Sequence, residues 1–533
     1  VLEPFFTYAI SSGSQSTTLS AELRQQIDLR IISSLITDLT MASPTFETIA
    51  AFKTKPHVVV LTDICNEPDD AESLTRFLLY ANEFQIDGLV ATTSFWQQNS
   101  THAKQIHQIL DAYAGVEASL NSHVPPNRQY PTVDSLRNLV RDGLSEYGMK
   151  GAQGPLNEGT KLLITAVDTI ASDGHIWVLV WGGANVLAQA LLHVRNTRSK
   201  AEVSAFAAKL RVYAISDQDD AGAWIRLNFP KIFYVASIHG WNSYGLAAWT
   251  GISGESYYHF NPGGPDTDLV TTEWLKKYIQ IGPYGKEAYP DPVFIPEGDT
   301  PTFLSLIQNG LTDPCRPEWG GWGGRYNLTD LTGTDGSKHY SDTADLVRGK
   351  DGRMHVGSQA TIWRWREAYQ GDFAARMQWT LTNDFKKVNH APIVVLNGDS
   401  GLTPLNIKVP FGSTVHLDAS QSWDPDDSDQ LEFSWLHYKE PSATQWQVGF
   451  QVPELVFKDE SNGGRKFEKV SVKFPGKDEG LIFPLHPDGI IKWGAKTYHL
   501  ILEVIDNAPF PMRSYRRVLV QIFDDAADGE AKG

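Results

Sequence analysis

The sequence predicts an α/β protein built on a doubly wound, mainly parallel sheet, followed by a C-terminal antiparallel β-sandwich. Three observations predict this class. From His57 onward, continuous apolar runs alternate with amphipathic segments of helix length, the pattern of a parallel sheet covered on both faces by crossover helices. Beyond residue 390 the pattern shifts to short alternating stretches separated by Asp, Pro and Gly turns, which suits an antiparallel sandwich. The chain has 533 residues, room for both on a soft prior of about 150 residues per domain.

Residues 1–55 hold the Ser/Thr-rich "SSGSQSTTLS" and then "AELRQQIDLRIISSLITDL", whose apolar residues recur at helical spacing and predict an N-terminal helical arm. Residues 56–390 form the first domain. The strand "HVVVLT" leads to the helix "DDAESLTRFLLYANE", the strand "IDGLVATTS" to the helices "THAKQIHQILDAY" and "TKLLITAVDTIAS", and the strand "IWVLVWGG" to the helix "ANVLAQALLHV". The strands "LRVYAIS" and "KIFYVAS" follow, and the Trp- and Arg-rich helix "ATIWRWREAYQGDFAARMQW" closes the domain. Residues 391–533 supply the sandwich strands "STVHLDA", "LEFSWLHY", "YHLILEVID" and "RVLVQIF", and the tail "DDAADGEAKG" is expected to fray.

Composition narrows the function classes. A formal net charge of −17 argues against nucleic acid, whose binding rests on Lys and Arg neutralising phosphates. No apolar run approaches the roughly 18 residues of a membrane span. The 16 Trp and 19 Tyr, several in Gly-rich contexts, supply rings able to lie against a flat amphipathic ligand, and sugars fit that description. With only Cys65 and Cys315 present, disulfides are not the main staple and a single bridge stays open. The sequons at Asn99 and Asn327, with a chain that begins at Val1 without Met or signal peptide, lead to the expectation of a processed, secreted protein.

In a doubly wound sheet, ligands bind beyond the carboxyl ends of the strands. Asp63, Ser94, Gly182 and Asp217 fall there, and "TDICNEPDDAESL" adds Glu67, Asp69 and Asp70 in the next turn. The helix dipole and capping explain Asp69 and Asp70 but not Asp63. A hard cation such as Ca²⁺, which takes oxygen ligands, explains all of them. From the residues alone, the cation and a solvated acidic helix start both stay open.

The order strand, Asp, short turn, Asp-Asp-Ala, helix resembles the opening motif of the nucleoside hydrolases. More closely, "LTDICNEPDDAESLTRFLLYANEFQIDGLVATTS", "ISDQDDAGAWIR", "PEGDTPTFLSLIQNGL" and "EWGGWGGRY" resemble a family of secreted proteins described as cellulose-binding, with a nucleoside hydrolase-like domain and a C-terminal β-domain. The resemblance implies Ca²⁺ as cofactor, held by Asp63, Asp69, Asp70 and Asp299 and by a backbone carbonyl at Trp181 or Gly182. It implies Asp63 as the base that takes a proton from water. The turn after Asp63 is two residues longer than in nucleoside hydrolases, so Asn66 or Glu67 could enter the shell. Gly298 occupies the place of the family's leaving-group His, which makes Glu297 the acid candidate by proximity. Gln97, Asp217, Asp219 and Asp220 stand near the family's sugar-holding positions, and each could instead cap a helix.

"RPEWGGWGGRY" has no nucleoside hydrolase counterpart. Trp319, Trp322 and Tyr326 could stack on sugar faces, with Arg325 reaching a ligand oxygen, or the segment could be a Trp-pinned structural loop. "LDASQSWDPDDSDQLEFSW" resembles the Asp-rich turn of polycystic-kidney-disease-type Ig-like domains. Asp424, Asp426, Asp427 and Asp429 there are either a second Ca²⁺ site or turn formers.

These readings lead to the expectation of a secreted, Ca²⁺-dependent glycoside hydrolase. It would release a terminal sugar, with furanosides and pentosides among the candidates, from a polysaccharide or oligosaccharide by inverting water attack. A non-catalytic cellulose- or polysaccharide-binding protein and a nucleoside N-ribohydrolase are the alternatives, the missing His counting against the last. The expected partner is a carbohydrate, with no nucleic acid and no membrane; a homo-oligomer is left open.

Overall fold

The apolar runs of the first domain become one eight-stranded sheet. In chain order its strands are β1 (His57–Thr62), β2 (Gln85–Ala91), β3 (Val140–Asp142), β4 (Ile176–Val180), β5 (Leu210–Ser216), β6 (Phe233–Ser237), β7 (Tyr326–Leu328) and β8 (His339–Asp342). In space they run β3-β2-β1-β4-β5-β6-β8-β7, parallel throughout except for β7, which pairs antiparallel with β8. The structure is a computed structural model that describes residues 55–329, 336–426, 430–443, 452–476 and 496–523. The expected helical arm, Lys55 aside, and the whole of the expected frayed tail lie outside these residues.

Both faces of the sheet are covered, as its unbroken apolar strands require. Val58 and Val60 join a core with Leu74, Phe77 and Ile106, whereas Val59 and Leu61 join another with Val186, Leu187 and Leu191. After β1 the chain moves outward to β2 and β3, then returns to β4 on the other side of β1. This reversal opens a crevice at the carboxyl ends of β1 and β4, where Asp63 and Gly182 lie. The helix expected over 360–379 is broken into Ala360–Trp363 and Arg366–Trp379. A helix at Lys200–Lys209, closed by a capping box from Ser199 and Glu202, is one the apolar pattern did not predict.

A hairpin of β9 (Asp345–Arg348) and β10 (Met354–Gly357) precedes the second domain. There β11 (Leu405–Pro410), β12 (Thr414–Asp418), β13 (Glu432–Tyr438), β14 (Phe457–Asp459), β15 (Lys469–Lys473), β16 (Lys496–Ile505) and β17 (Arg513–Phe523) form two sheets, β11-β17-β16-β13 and β12-β15-β14. Val415, Leu417, Val470 and Val472 of one sheet share a core with Leu500, Leu502, Val518 and Val520 of the other, which makes a sandwich. One pair departs from the antiparallel expectation: β11 runs parallel to β17. Most of the domain's sequence separates the two strands, so no hairpin dictates their direction, and Pro410 is tolerated because β11 is an edge strand.

The two domains meet at the "EWGGWGGRY" loop. Arg517 of β17 donates to the carbonyls of Leu311, Trp319 and Gly320 at 2.9, 3.2 and 3.0 Å. Trp322 Nε1 donates to Tyr515 Oη at 3.4 Å, and Tyr438 Oη donates to Asp345 at 2.7 Å. Among the described residues, no helix is long and apolar enough to cross a membrane.

Candidate active site and metal centre

Asp63 emerges from the end of β1 into the crevice. The amides of Trp181 and Gly182 both donate to the Leu61 carbonyl, at 2.8 and 3.3 Å, and hold the end of β4 against it. A Cβ on Gly182 would lie 2.7 Å from Asp63 Oδ1 and 2.8 Å from its Cβ, so only glycine lets the carboxylate sit here. Asp69 and Asp70 open the Asp69–Leu79 helix, and the Thr62 hydroxyl donates to Asp70 Oδ1. Asp299 arrives from the loop before the Pro301–Leu304 helix. That loop is anchored where Thr300 Oγ1 donates to Ser73 Oγ at 3.2 Å and Trp181 Nε1 donates to Thr302 Oγ1 at 2.7 Å.

These placements bring one carboxylate oxygen each from Asp69, Asp70 and Asp299 within 4.8 Å of one another. Burial pushes the Asp63 carboxyl up to about 6 and that of Asp69 up to about 7. Asp70 and Asp299 are raised further by burial and then by the neighbouring carboxylates; those acting most on Asp299 are Asp70, Asp69, Asp63 and Glu67. Asp63 Oδ2 and Asp299 Oδ2 are buried with no hydrogen-bond partner. Three clustered carboxylates, with Asp63 acting on them as a charged neighbour and orphaned buried oxygens on Asp63 and Asp299, form an all-oxygen donor set that fits a hard divalent cation such as Ca²⁺.

Several predicted residues stand elsewhere. Glu297, the expected acid, is turned away by a left-handed backbone with φ 62°. Its carboxylate is consumed by Arg76 at 2.7 Å and by the Tyr289 hydroxyl at 2.8 Å, so it is an internal ion-pair partner. Asp217 is held bidentately by Arg226 at 2.8 and 2.5 Å, and Asp220 accepts the Met149 amide at 2.7 Å. Asp219 caps the Asp220–Asn228 helix through one oxygen, while its Oδ2 is buried without a partner and burial pushes its carboxyl up to about 7. Gln97 does reach the crevice: its Nε2 donates to the Asp63 carbonyl at 3.2 Å. The Trp181 carbonyl accepts from the Gln218 amide.

The Gly-rich aromatic loop is not a sugar platform, because it is the seat of the second domain. Trp322, Arg325 and Tyr326 are buried, Arg325 is paired with Asp345 at 2.7 Å, and Trp319 packs edge-on against His499. In the second domain, Asp426 accepts from the His390 amide at 2.7 Å, and Asp424 accepts from the Asp426 amide at 2.8 Å. Asp427 and Asp429 lie outside the described residues. Cys65 and Cys315 are both free thiols, so the single bridge left open is not formed. Asn99 is exposed, whereas Asn327 donates to Thr343 Oγ1 at 3.3 Å.

Gly298 explains the missing His. A Cβ there would lie 2.6 Å from Asp69 Oδ2 and 3.1 Å from the Trp249 ring, so no side chain fits. Two further groups stand beside the cluster, both in places the sequence pointed to. Ser94, directly after a strand as expected, acts on the Asp63 carboxyl as a hydrogen-bonding neighbour. Glu67 is partly exposed, its carboxyl is raised by burial, and its charge acts on Asp63, Asp69, Asp70 and Asp299.

The wound sheet and the acidic cluster beyond β1 define a nucleoside hydrolase-like domain carrying a β-sandwich. The family model described as the nucleoside hydrolase-like domain of cellulose-binding Sde182 matches residues 57–326, and that of the C-terminal domain of cellulose-binding protein Sde0182 matches residues 414–522. The chain belongs to this family. Among solved structures it is similar to a nucleoside hydrolase-related hypothetical protein from Saccharophagus degradans, described as associated with carbohydrate metabolism. The two share 30% identity at a TM-score of 0.68, over 88% of this chain and 100% of that one. No curated protein matches.

Proposed function

We propose that this chain is a secreted, Ca²⁺-dependent glycosidase that hydrolyses a terminal glycosyl bond of a polysaccharide or oligosaccharide. The observation that carries the reading is the carboxylate cluster, with its orphaned Asp63 and Asp299 oxygens, in a family named for cellulose binding. Asp63, Asp69, Asp70 and Asp299 would hold the ion, which when bound supplies the positive charge that keeps them ionised and polarises water and sugar hydroxyls. Asp63, oriented by Ser94, takes the proton from the attacking water at Oδ2. The water oxygen bonds to the anomeric carbon as the glycosidic bond breaks, and direct attack inverts that centre. Glu67, whose carboxyl burial raises, gives its proton to the departing oxygen. Gln97, whose side chain reaches the crevice, contacts the sugar hydroxyls.

The test is a panel of glycosides and oligosaccharides incubated with wild type and Asp63→Asn, with and without Ca²⁺. Turnover lost in the variant and in chelated protein supports the reading; chelated wild type working at full rate overturns it. Asp63-dependent release of base from inosine or uridine would shift the substrate to a nucleoside. Gly298 favours a second reading, non-catalytic polysaccharide binding, because the place of the leaving-group acid is filled by Asp69 and Trp249. In that case no glycan yields product and Asp63→Asn binds polysaccharide as wild type does.

A further inference from the structure

Three large rings stand exposed together at the carboxyl end of the sheet. Phe95 and Trp96 follow β2, Trp241 follows β6, and they are 41%, 52% and 52% exposed. Their ring centroids are 4.8 Å apart for Phe95 and Trp241, 5.0 Å for Phe95 and Trp96, and 6.0 Å for Trp96 and Trp241. Two loops remote in sequence thus bring one aromatic cluster to the surface, in which the Phe95 and Trp241 rings are tilted by 37° and Trp96 stands nearly perpendicular to both, at 88° and 86°, as a side wall. Clustered exposed apolar surface of this kind marks a binding site more often than scattered exposed residues do.

The surface is continuous with the acidic crevice. Trp241 stacks on Tyr244 at 5.3 Å and 13°, and Tyr244 meets Trp249 edge-on at 5.5 Å. Trp249 is the ring that closes the space over Gly298 beside Asp69, and the Tyr244 hydroxyl lies within the influence of Asp63 and Asp299. Ser94 ties the outer rings to Asp63. Its Oγ accepts the amides of Trp96 and Gln97, both at 3.1 Å, and its hydroxyl is a neighbour that favours the ionised form of the Asp63 carboxyl. A line of rings therefore leads from solvent to the carboxylates, held by the residue that orients the base.

We propose that Phe95, Trp96 and Trp241 form a stacking platform for the pyranose rings of a β-linked glucan whose terminal unit enters the crevice. The inference rests on the carbohydrate half of the function proposed above. Pyranoses of this type carry C–H groups on flat faces and hydroxyls around the edge. Exposed indole and phenyl faces cover the former and leave the latter to water and to the polar groups of the crevice. A nucleobase would bury one ring at the reacting centre, whereas three rings extending outward suit a polymer.

The platform is tested by binding of cellohexaose, with maltohexaose as the α-linked comparison, measured by calorimetry and tryptophan fluorescence. The proteins are wild type, Trp96→Ala, Trp241→Ala, Trp241→Phe and the surface control Val456→Ser. Each Ala variant is expected to bind cellohexaose about tenfold or more weakly, Trp241→Phe to recover part of the loss, and Val456→Ser to bind as wild type. Ala variants that bind as wild type overturn the platform, even if Asp63-dependent turnover upholds the glycosidase. Wild type that binds no glucan also overturns it, while the glycoside panel judges the activity separately. Ala variants that change the oligomeric state at unchanged glucan affinity would make the surface a self-interface and overturn it as well.

Discussion

Removing divalent cations should make the fold lose stability as pH rises through the window in which the acidic cluster ionises. A carboxyl whose folded pKa is raised stabilises the native state below its unfolded pKa, and that contribution is lost as pH climbs through the folded value. Burial lifts Asp63 from 3.8 to about 6, and with one unit worth ~1.4 kcal/mol, Asp63 alone accounts for ~3 kcal/mol, lost between about pH 4 and pH 7. At an unfolding entropy of ~2.1 cal/mol/K per residue over a domain of roughly 300 residues, that is a fall in Tm of about 4–5 °C. Asp69, Asp70 and Asp299 are raised as well and act in the same direction. Scanning calorimetry of chelated wild type and Asp63→Asn across this window separates the Asp63 share, since the variant lacks that titration and should decline less. Calcium at about 100 times its Kd should restore ~2.7 kcal/mol near neutral pH. A chelated wild type whose Tm is flat or rises over the window, in parallel with the variant, would refute the placement of these carboxylates.

Gly298→Ala should weaken calcium binding, seen as a smaller calcium-induced rise in Tm, because its Cβ would lie 2.6 Å from Asp69 Oδ2. Arg76→Met should cost roughly 3–5 kcal/mol by leaving buried Glu297 without its cation, and urea unfolding should show it; Glu297→Gln should leave the pH dependence of any turnover unchanged, since Glu297 is spent on Arg76 and Tyr289. Tyr438→Phe should cost about 1–2 kcal/mol by removing one hydrogen bond to Asp345 at the seam between the domains, measured as a drop in Tm with the calcium response intact.

The parallel sheet was legible because its evidence is local. Each strand is an unbroken apolar run bounded by a turn, and burial on both faces, as for Val58 to Leu61, demands that composition. Asp63 was legible for a related reason: a charge directly after such a run must face the crevice at the strand ends. The closing ligand was not legible from pattern alone. Asp299 lies more than two hundred residues from Asp63, and only the resemblance to a known motif linked them. Glu297 shows the limit of proximity, since one residue of left-handed backbone sends its carboxylate to Arg76 while Asp299 turns to the cation site.

The aromatics carry the same point further. Both "EWGGWGGRY" and "TSFWQQ" place large rings in a short connection, and nothing within either segment tells an internal ring from a displayed one. The difference lies in what the rest of the chain brings. Nearly two hundred residues downstream, Arg517 arrives to donate to the loop's backbone carbonyls and Tyr515 to accept from the Trp322 indole, and together they cover the first loop, whereas Trp241 meets Phe95 at a tilt and Trp96 edge to face and leaves them open. Glycine abundance marked the first loop as unusual, and its positive-φ residues Gly320 and Gly324 let a backbone pass tightly beneath a docked domain. Ring exposure is a property of the neighbours, and in this chain the rings able to meet a ligand are those beside the strand-end Ser94 that also holds Asp63.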